Sequence, residues 1–234
     1  MQVKDNVIQE YTGLAPTLSE GEASPTEMAF GKFVTKNIEP GMQNALEIGC
    51  GVGRLAERVA QQIPNVLGLD ITPAMIERAQ VRARSSLKFV LGDVETYPFQ
   101  GKFDLIYIIL VFDHVERRKV FPILANLLNP NGLLLVVDRF EYAADNEIVR
   151  DFISYLRWRQ RHGLGINILP LLMNMKRVSE YAVHPAWARL NDISQPYHIS
   201  RSEYASLLKE LLPSAQFDLI DQHTASVVYR KPRD

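Results

Sequence analysis

Glu47-Ile48-Gly49-Cys50-Gly51-Val52-Gly53 is the stretch that decides the fold of this chain. The residues before it, Asn44-Ala45-Leu46, are typical of the end of a short buried strand, and residues 54–62 have the pattern of a helix. Three glycines at alternate positions let the backbone approach a ligand more closely than side chains would permit. Free N–H groups at the helix start favour a polar or negative ligand group. The stretch is interpreted as a cofactor loop; the alternative is a tight turn without a ligand.

The spacing of this loop excludes two common nucleotide-binding motifs. The dinucleotide fingerprint requires a third glycine where Arg54 stands, at the position where helix and strand pack closely. No Gly-Lys-Ser/Thr follows, so the loop is not a P-loop. The Glu47 carboxylate would repel a pyrophosphate, whereas it suits a ligand that carries an ammonium or sulfonium group.

Strands alternate with helices along the chain beyond the loop. A second strand over 65–70 ends in Asp70, whose carboxylate can accept two hydrogen bonds from a ribose diol. Thr72 and Pro73 then open a helix as N-cap and first-turn residue. Further strands are predicted over 87–94, 103–110 and 132–138, with a turn at 128–132. Near-continuous apolar strands indicate a parallel sheet that is covered by helices on both faces, hence an α/β fold.

These motifs, in this order, resemble those of the class I S-adenosylmethionine-dependent methyltransferases, in their small-molecule branch. The resemblance covers residues 40–140 closely and Phe217–Arg230 more loosely. It implies a Rossmann-like doubly wound sheet of seven strands, the last antiparallel, with S-adenosyl-L-methionine as cofactor. In the family the glycine loop and its acid hold the methionine end, the next acid holds the ribose, and the third strand's end meets the adenine. The cofactor-binding residues that it implies are Glu47, Gly49, Cys50, Gly51, Arg54, Asp70, Ile71, Met75, Asp93, Val94 and Ile109.

Catalytic candidates come from three parts of the chain. The family's two histidines after the fourth strand appear here as Asp113-His114, and either side chain could orient or deprotonate an acceptor. Tyr11, in the N-terminal arm, could reach the methionine end of the cofactor. His184 and His198 lie in a predicted lid. The alternatives are structural roles. His114 would cap a turn with a hydrogen bond, Tyr11 would pack the arm against the domain, and the other two histidines would be hydrogen-bonded inside the lid.

The organisation is predicted as a single domain over 1–234 with two additions. Residues 1–39 form an N-terminal arm and a helix that starts at a capping box, Ser24–Glu27. Residues 139–200 form a helical lid insertion, with helices expected over 145–162 and 170–181. A second capping box at Ser200–Glu203 opens the last core helix, and strands over 217–220 and 225–230 form a closing hairpin.

The composition of the chain argues against several classes of protein, including nucleic-acid-binding and membrane-spanning proteins. The chain has 234 residues, 47% of them hydrophobic, and a net charge of −1, so no global field attracts nucleic acid. No apolar run is long enough for a membrane span, no signal-peptide core is visible, and a cytoplasmic protein is expected. The single cysteine, Cys50, cannot form an internal disulfide or a cysteine-built metal site, and no metal is expected.

The acceptor is predicted to be a small organic molecule in a mostly apolar, lidded pocket. The fourth strand ends in Ile109-Leu110-Val111-Phe112, without the Asn/Asp-Pro-Pro motif of family members that methylate base amines or glutamine amides. One alternative keeps the cofactor but cyclises its aminobutyrate chain and releases methylthioadenosine. Another is a non-catalytic S-adenosylmethionine-binding regulator. The atom methylated and the oligomeric state are not predicted.

Overall fold

The protein folds around one seven-stranded sheet. The structure, a computed structural model, describes residues 2–20, 25–139, 148–164, 197–220 and 224–233. The strands are β1 (Asn44–Ile48), β2 (Asn65–Asp70), β3 (Leu87–Leu91), β4 (Phe103–Ile109), β5 (Leu128–Arg139), β6 (Gln216–Leu219) and β7 (Thr224–Arg230). Most of the predicted lid, including its helix over 170–181, lies outside the described residues.

The strand order is β3-β2-β1-β4-β5-β7-β6. The first five strands pair in parallel, whereas β7 runs antiparallel to both β5 and β6. This confirms the predicted α/β, doubly wound, seven-stranded sheet with its antiparallel last strand. Chain connections run outward in one direction from β1 to β3 and in the other direction from β4 to β5, so the switch point of the sheet lies between β1 and β4. Ligands of such sheets bind at the switch point, outside the carboxyl ends of the strands.

Helices cover both faces of the sheet. They are α1 (Gln2–Glu20), α2 (Pro25–Lys36), α3 (Arg54–Val59), α4 (Pro73–Ala79), α5 (Arg117–Leu127), α6 (Ile148–Arg161) and α7 (Arg201–Leu211), with short 3₁₀ helices at Gln80–Arg82 and Phe112–His114. The α7 helix begins at the predicted capping box, in which Ser200 and Glu203 bond reciprocally. Within the described residues, none of the helices combines the length and apolarity that a bilayer crossing requires.

Alternation along the strands divides the core into two apolar clusters. On β1, Leu46 and Ile48 belong to one cluster, whereas Ala45 belongs to the other. Neighbouring β4 follows the same rule, with Ile106 on the first side and Leu105 on the second. Both faces are buried because helices cover both, which accounts for the continuous apolar strands in the sequence.

Two boundaries differ from the sequence prediction. The α3 helix ends at Val59 instead of residue 62, because Ile63 is buried and Pro64 disfavours a helical conformation before it. The β5 strand begins at Leu128, inside the predicted turn, because Leu128 pairs with Phe103. The expected bend survives as a register shift and as a positive φ of 64° at Asn131.

The N-terminal arm is a helix, which the sequence analysis did not predict. Its apolar residues are sparse, yet Val7, Leu14 and Ala15 recur at helical spacing and are all buried. They give α1 one apolar stripe, which packs chiefly against α4 and also contacts the Phe112–His114 turn. The arm therefore lies along the carboxyl edge of the sheet.

A buried ion pair fastens the start of α5 to the end of β5. Nε of Arg117 donates to Asp138 at 2.9 Å, and an Nη of the same guanidinium donates to the other carboxylate oxygen at 3.1 Å. The guanidinium also donates to the carbonyls of Tyr197 and Arg139, and it lies 5.6 Å from the ring centroid of Tyr204 on α7. One charged group thereby joins three elements around the sheet edge.

Replacing Arg117 by leucine is expected to lower the free energy of unfolding by about 3–5 kcal/mol, because Asp138 would remain as a buried charge without its partner. The matched control is Arg118→Leu, which removes an exposed pair with Glu210 and should cost far less stability because solvent screens that pair. Chemical denaturation of both variants at pH 7 measures the difference. Equal losses would contradict a structural role for the buried pair.

Candidate functional site

The glycine loop turns sharply at the carboxyl end of β1. Gly49, Gly51 and Gly53 all have positive φ values, of 70°, 51° and 82°. The backbone N–H groups of Gly49 and Cys50 both donate to the carbonyl of Leu69, at 2.8 and 3.0 Å. The loop is thus fastened to the end of β2 in a conformation that glycine adopts without strain.

The three glycines face different surroundings. A Cβ at Gly49 would collide with Val111, and a Cβ at Gly53 would collide with Phe89. These two positions need glycine for close packing inside the protein. A Cβ at Gly51 would meet no atom within 4 Å. Gly51 is therefore the glycine that leaves space in front of the loop, where the backbone can approach a ligand.

The Asp70 carboxylate bridges the loop and the start of α4. One oxygen accepts the N–H of Gly51 and the other accepts the N–H of Thr72, both at 2.8 Å. Burial raises the pKa of Asp70, and these backbone hydrogen bonds oppose the shift. The Thr72 side chain and the Ile71 backbone N–H are further hydrogen-bond partners of this carboxylate. Asp70 therefore lies at the end of β2 where the sequence placed the ribose acid.

Glu47 is buried and supports the loop from behind. Its Oε2 accepts a hydrogen bond from the Tyr107 hydroxyl at 3.3 Å, across the paired positions of β1 and β4. The Ala56 backbone N–H, near the start of α3, also donates to this carboxylate. Burial raises the pKa of Glu47 well above its usual range, an effect that these two hydrogen bonds oppose. The Glu47 carboxylate thus accepts one of the N–H groups left free at the helix start, and its contact with a ligand ammonium stays a prediction.

The third predicted contact region lies after β3. Asp93 accepts the Glu95 backbone N–H at 3.0 Å, which orders the turn. Its other oxygen lies 2.6 Å from Nζ of Lys4, which also lies 3.1 Å from Glu95. The neighbouring Val94 is buried, as expected for a residue that offers its backbone N–H.

The arm helix α1 passes over all of these groups. Lys4 joins it to the turn after β3, and Ala15 packs against Val52 of the glycine loop and Met75 of α4. Tyr11 packs on the same cluster and lies in contact with the segment after β4. The sequence analysis missed Lys4, since nothing in its local sequence indicates where α1 docks.

Tyr11 and His114 form the polar end of the site. The Tyr11 hydroxyl and Nε2 of His114 are 3.1 Å apart, and the rings meet edge to face at 5.5 Å. Oδ1 of Asp113 lies 3.7 Å from the same nitrogen. His114 and Asp113 are 9% and 6% exposed. Three of the predicted catalytic residues therefore lie together.

The other predicted residues occupy varied positions. His198 is half-buried, burial lowers its pKa, and Asp113 exerts the opposing charge effect. His184 lies outside the described residues. Cys50 is buried and its sulfur lies against Gly68, so its side chain packs inward. The remaining three predicted residues are partly buried at the same edge of the sheet, namely Arg54, Ile71 and Ile109.

A comparison with known protein families matches the central part of the chain. Residues 45–132 match a family model described as a methyltransferase domain. This match begins in β1 and contains the glycine loop, Asp70, Asp93 and the segment after β4. Residues 45–132 therefore carry a methyltransferase domain.

Relatives of this methyltransferase domain resemble it over part of their length. A malonyl-[acyl-carrier protein] O-methyltransferase from Ilyobacter polytropus is 32% identical over 139 residues, which are 56% of this chain and 53% of the relative. A trans-aconitate 2-methyltransferase from Methylobacterium radiotolerans is 37% identical over 95 residues, which are 39% of this chain and 36% of the relative. The matched segments thus span about half, or less, of these curated relatives.

A solved structure shares the fold over nearly the whole chain. The N-methyltransferase NodS from Bradyrhizobium japonicum, in complex with S-adenosyl-L-homocysteine, aligns with a TM-score of 0.58. The alignment covers 96% of this chain and 100% of NodS at 15% sequence identity. At this identity the similarity establishes the fold.

The raised pKa of Glu47 generates a pH prediction. A carboxyl whose pKa is higher in the folded state stabilises fully below its unfolded pKa, about 4.3, and loses that contribution as pH rises through the folded pKa. Glu47→Gln should therefore lose less stability than the native protein when the pH rises above 5. Unfolding free energies across pH 5–8 measure this, with Glu77→Gln on the exposed face of α4 as the charge-matched control. Parallel curves for the native protein and Glu47→Gln would contradict it.

Proposed function

We propose that this protein transfers the methyl group of S-adenosyl-L-methionine to a small organic acceptor, which binds in a lidded pocket above the carboxyl edge of the sheet. The observation that carries the proposal is the open space in front of Gly51, whose own N–H is held by the carboxylate of Asp70. The cofactor would supply a methyl group already activated on a sulfonium. The protein's part is then to bind and align the two reactants.

The residues at this edge fit such a cofactor. Gly51 allows its backbone to approach the ligand, and Asp70 lies at the end of β2, at the position of the family's ribose-binding acid. Asp93 and the N–H of Val94 stand after β3, in position for the edge of a purine. The family's use of the corresponding positions supports these roles.

We expect the acceptor to bind beside the polar side chains that follow β4. Asp113 and His114 follow β4 directly, on the other side of β1 from Asp70 and β3. An acceptor there would lie between these polar groups and the glycine loop. Helix α6, which lies within the range of the predicted lid, packs on β6 and β7 through Trp158 and Arg161, so the rest of that range would form the cover over the acceptor. The arm helix α1 already covers part of the acceptor position through Tyr11.

The direct test is mass spectrometry of the purified protein incubated with S-adenosylmethionine, alone and with a library of phenols, amines and carboxylic acids. S-adenosylhomocysteine that forms only with an acceptor, together with the methylated acceptor, is the expected result. Methylthioadenosine formed without an acceptor would contradict methyl transfer and indicate intramolecular cyclisation of the cofactor. Tight cofactor binding without either product, across the library, would favour a non-catalytic regulator.

Gly51→Ala is expected to weaken S-adenosylmethionine binding by on the order of tenfold, about 1.4 kcal/mol, because the new methyl group projects into the space in front of the loop. Gly101→Ala is the matched control: Gly101 also has a positive φ and open surroundings, but it lies in the turn before β4, at the opposite edge of the sheet. Both variants should lose similar stability from backbone strain. Titration calorimetry with S-adenosylmethionine measures the affinities, and equal affinities would contradict the proposed position of the cofactor.

A further inference from the structure

A buried histidine nitrogen lacks a hydrogen bond at the acceptor end of the site. Nδ1 of His114 is fully buried and has no hydrogen-bond partner among the residues that the structure describes. The same holds for Oδ1 of Asp113, next to it. Unsatisfied buried polar atoms are rare in native proteins, since each forfeits its hydration without compensation. Oδ1 of Asp113 faces Nε2 of the same ring at 3.7 Å, beyond hydrogen-bond distance, so Nδ1 is the atom that calls for a ligand.

The surroundings of His114 determine which ring nitrogen carries the proton. Nε2 has the Tyr11 hydroxyl at 3.1 Å and the Asp113 carboxylate at 3.7 Å. An ionised carboxylate only accepts hydrogen bonds, so it favours a proton on the nitrogen that faces it. The Tyr11 oxygen can accept the same proton. Nδ1 is therefore left with a lone pair and no donor.

His114 lies close to the glycine loop. Its backbone N–H donates to the carbonyl of Val111 at 2.9 Å, and the Val111 side chain fills the space against Gly49. From the other side, Tyr11 bridges His114 and the cluster that contains Val52. These contacts join His114 to the residues that pack against the glycine loop.

We propose that the acceptor is a hydroxyl or amine compound, that Nδ1 of His114 takes its proton, and that Tyr11 and Asp113 are positioning residues that keep the opposite nitrogen protonated. The proposal rests on the proposed methyl transfer. In the step, the acceptor's O–H or N–H bond breaks and its proton moves to Nδ1. The freed electron pair forms the bond to the methyl carbon, while the electrons of the carbon–sulfur bond remain on sulfur. Asp113 then faces an imidazolium, whose charge it balances.

A carboxylate acceptor fits these groups poorly. It has no proton to give at neutral pH and would bring a negative charge next to Asp113. The buried guanidinium of Arg117, at the start of the following helix, already donates to Asp138 and to two backbone carbonyls. The geometry therefore favours amines and hydroxyls over carboxylic acids.

The first test needs no substrate. Nitrogen-15 NMR of histidine-labelled protein, with the His114 signals assigned by their loss in His114→Gln, reports which ring nitrogen is protonated. We expect Nε2 to carry the proton in the native protein and the fraction protonated at Nδ1 to rise in Tyr11→Phe and in Asp113→Asn. A native protein protonated mainly at Nδ1, or a tautomer unchanged in both variants, would overturn the assigned roles.

The second test compares acceptor classes. With S-adenosylmethionine present, panels of phenols and amines should yield methylated products, whereas carboxylic acids, including trans-aconitate, should not. His114→Gln should lower kcat by roughly 10²–10⁴-fold for the best acceptor. Tyr11→Phe should lower kcat by roughly tenfold with little change in the acceptor's KM, because it acts through the base and not through binding. Tyr229→Phe, on β7 away from the carboxyl edge, is the matched control.

The outcomes separate this inference from the proposed function. Methyl esters formed from carboxylic acids, with His114→Gln as active as the native protein, would overturn the inference and leave methyl transfer intact. Release of methylthioadenosine without an acceptor would overturn both. Calorimetry should show unchanged S-adenosylhomocysteine affinity in Tyr11→Phe and Asp113→Asn, which excludes a cofactor-binding defect as the cause of a lower kcat.

Discussion

The hydrogen bonds between the glycine loop and the end of β2 are the constraint on which the site depends. The Leu69 carbonyl receives two loop N–H groups, and the neighbouring Asp70 receives a third from Gly51. The loop must take positive φ angles to make these bonds, and Val111 and Phe89 fill the space that side chains would need at Gly49 and Gly53. A rigid loop of this kind holds its backbone ready for a ligand before the ligand arrives, which lowers the cost of binding.

The second feature of the site is its cover. Helix α1 belongs to the start of the chain, yet it meets the turn after β3 through Lys4 and the segment after β4 through Tyr11. Its apolar stripe packs on Val52 and Met75 between these polar ends. One helix therefore contacts the turn after β3, the glycine loop and the segment after β4.

Buried polar groups in this protein divide into two kinds. Glu47 with Tyr107, and Arg117 with Asp138, are paired, and they hold the loop and α5 in place. Among the described residues, Nδ1 of His114 is buried without a hydrogen-bond partner, as is one oxygen of Asp113. Paired groups stabilise the fold, whereas unpaired ones cost stability, and proteins keep such groups chiefly where a substrate completes them.

The sequence by itself determined the sheet, the glycine loop, the capping box of α7 and the acids at the ends of β2 and β3, because each rests on a local pattern of burial, turn chemistry or capping. The sequence also indicated Tyr11 and His114 as catalytic candidates, each from a separate part of the chain. Only the tertiary structure decided that they meet, since they lie 103 positions apart and their contact depends on where α1 docks. The direction of the Glu47 side chain was likewise decided by β1–β4 pairing, which sets it against Tyr107 inside the protein. Long-range packing, which no local pattern records, brought these residues of distant segments together beside the glycine loop.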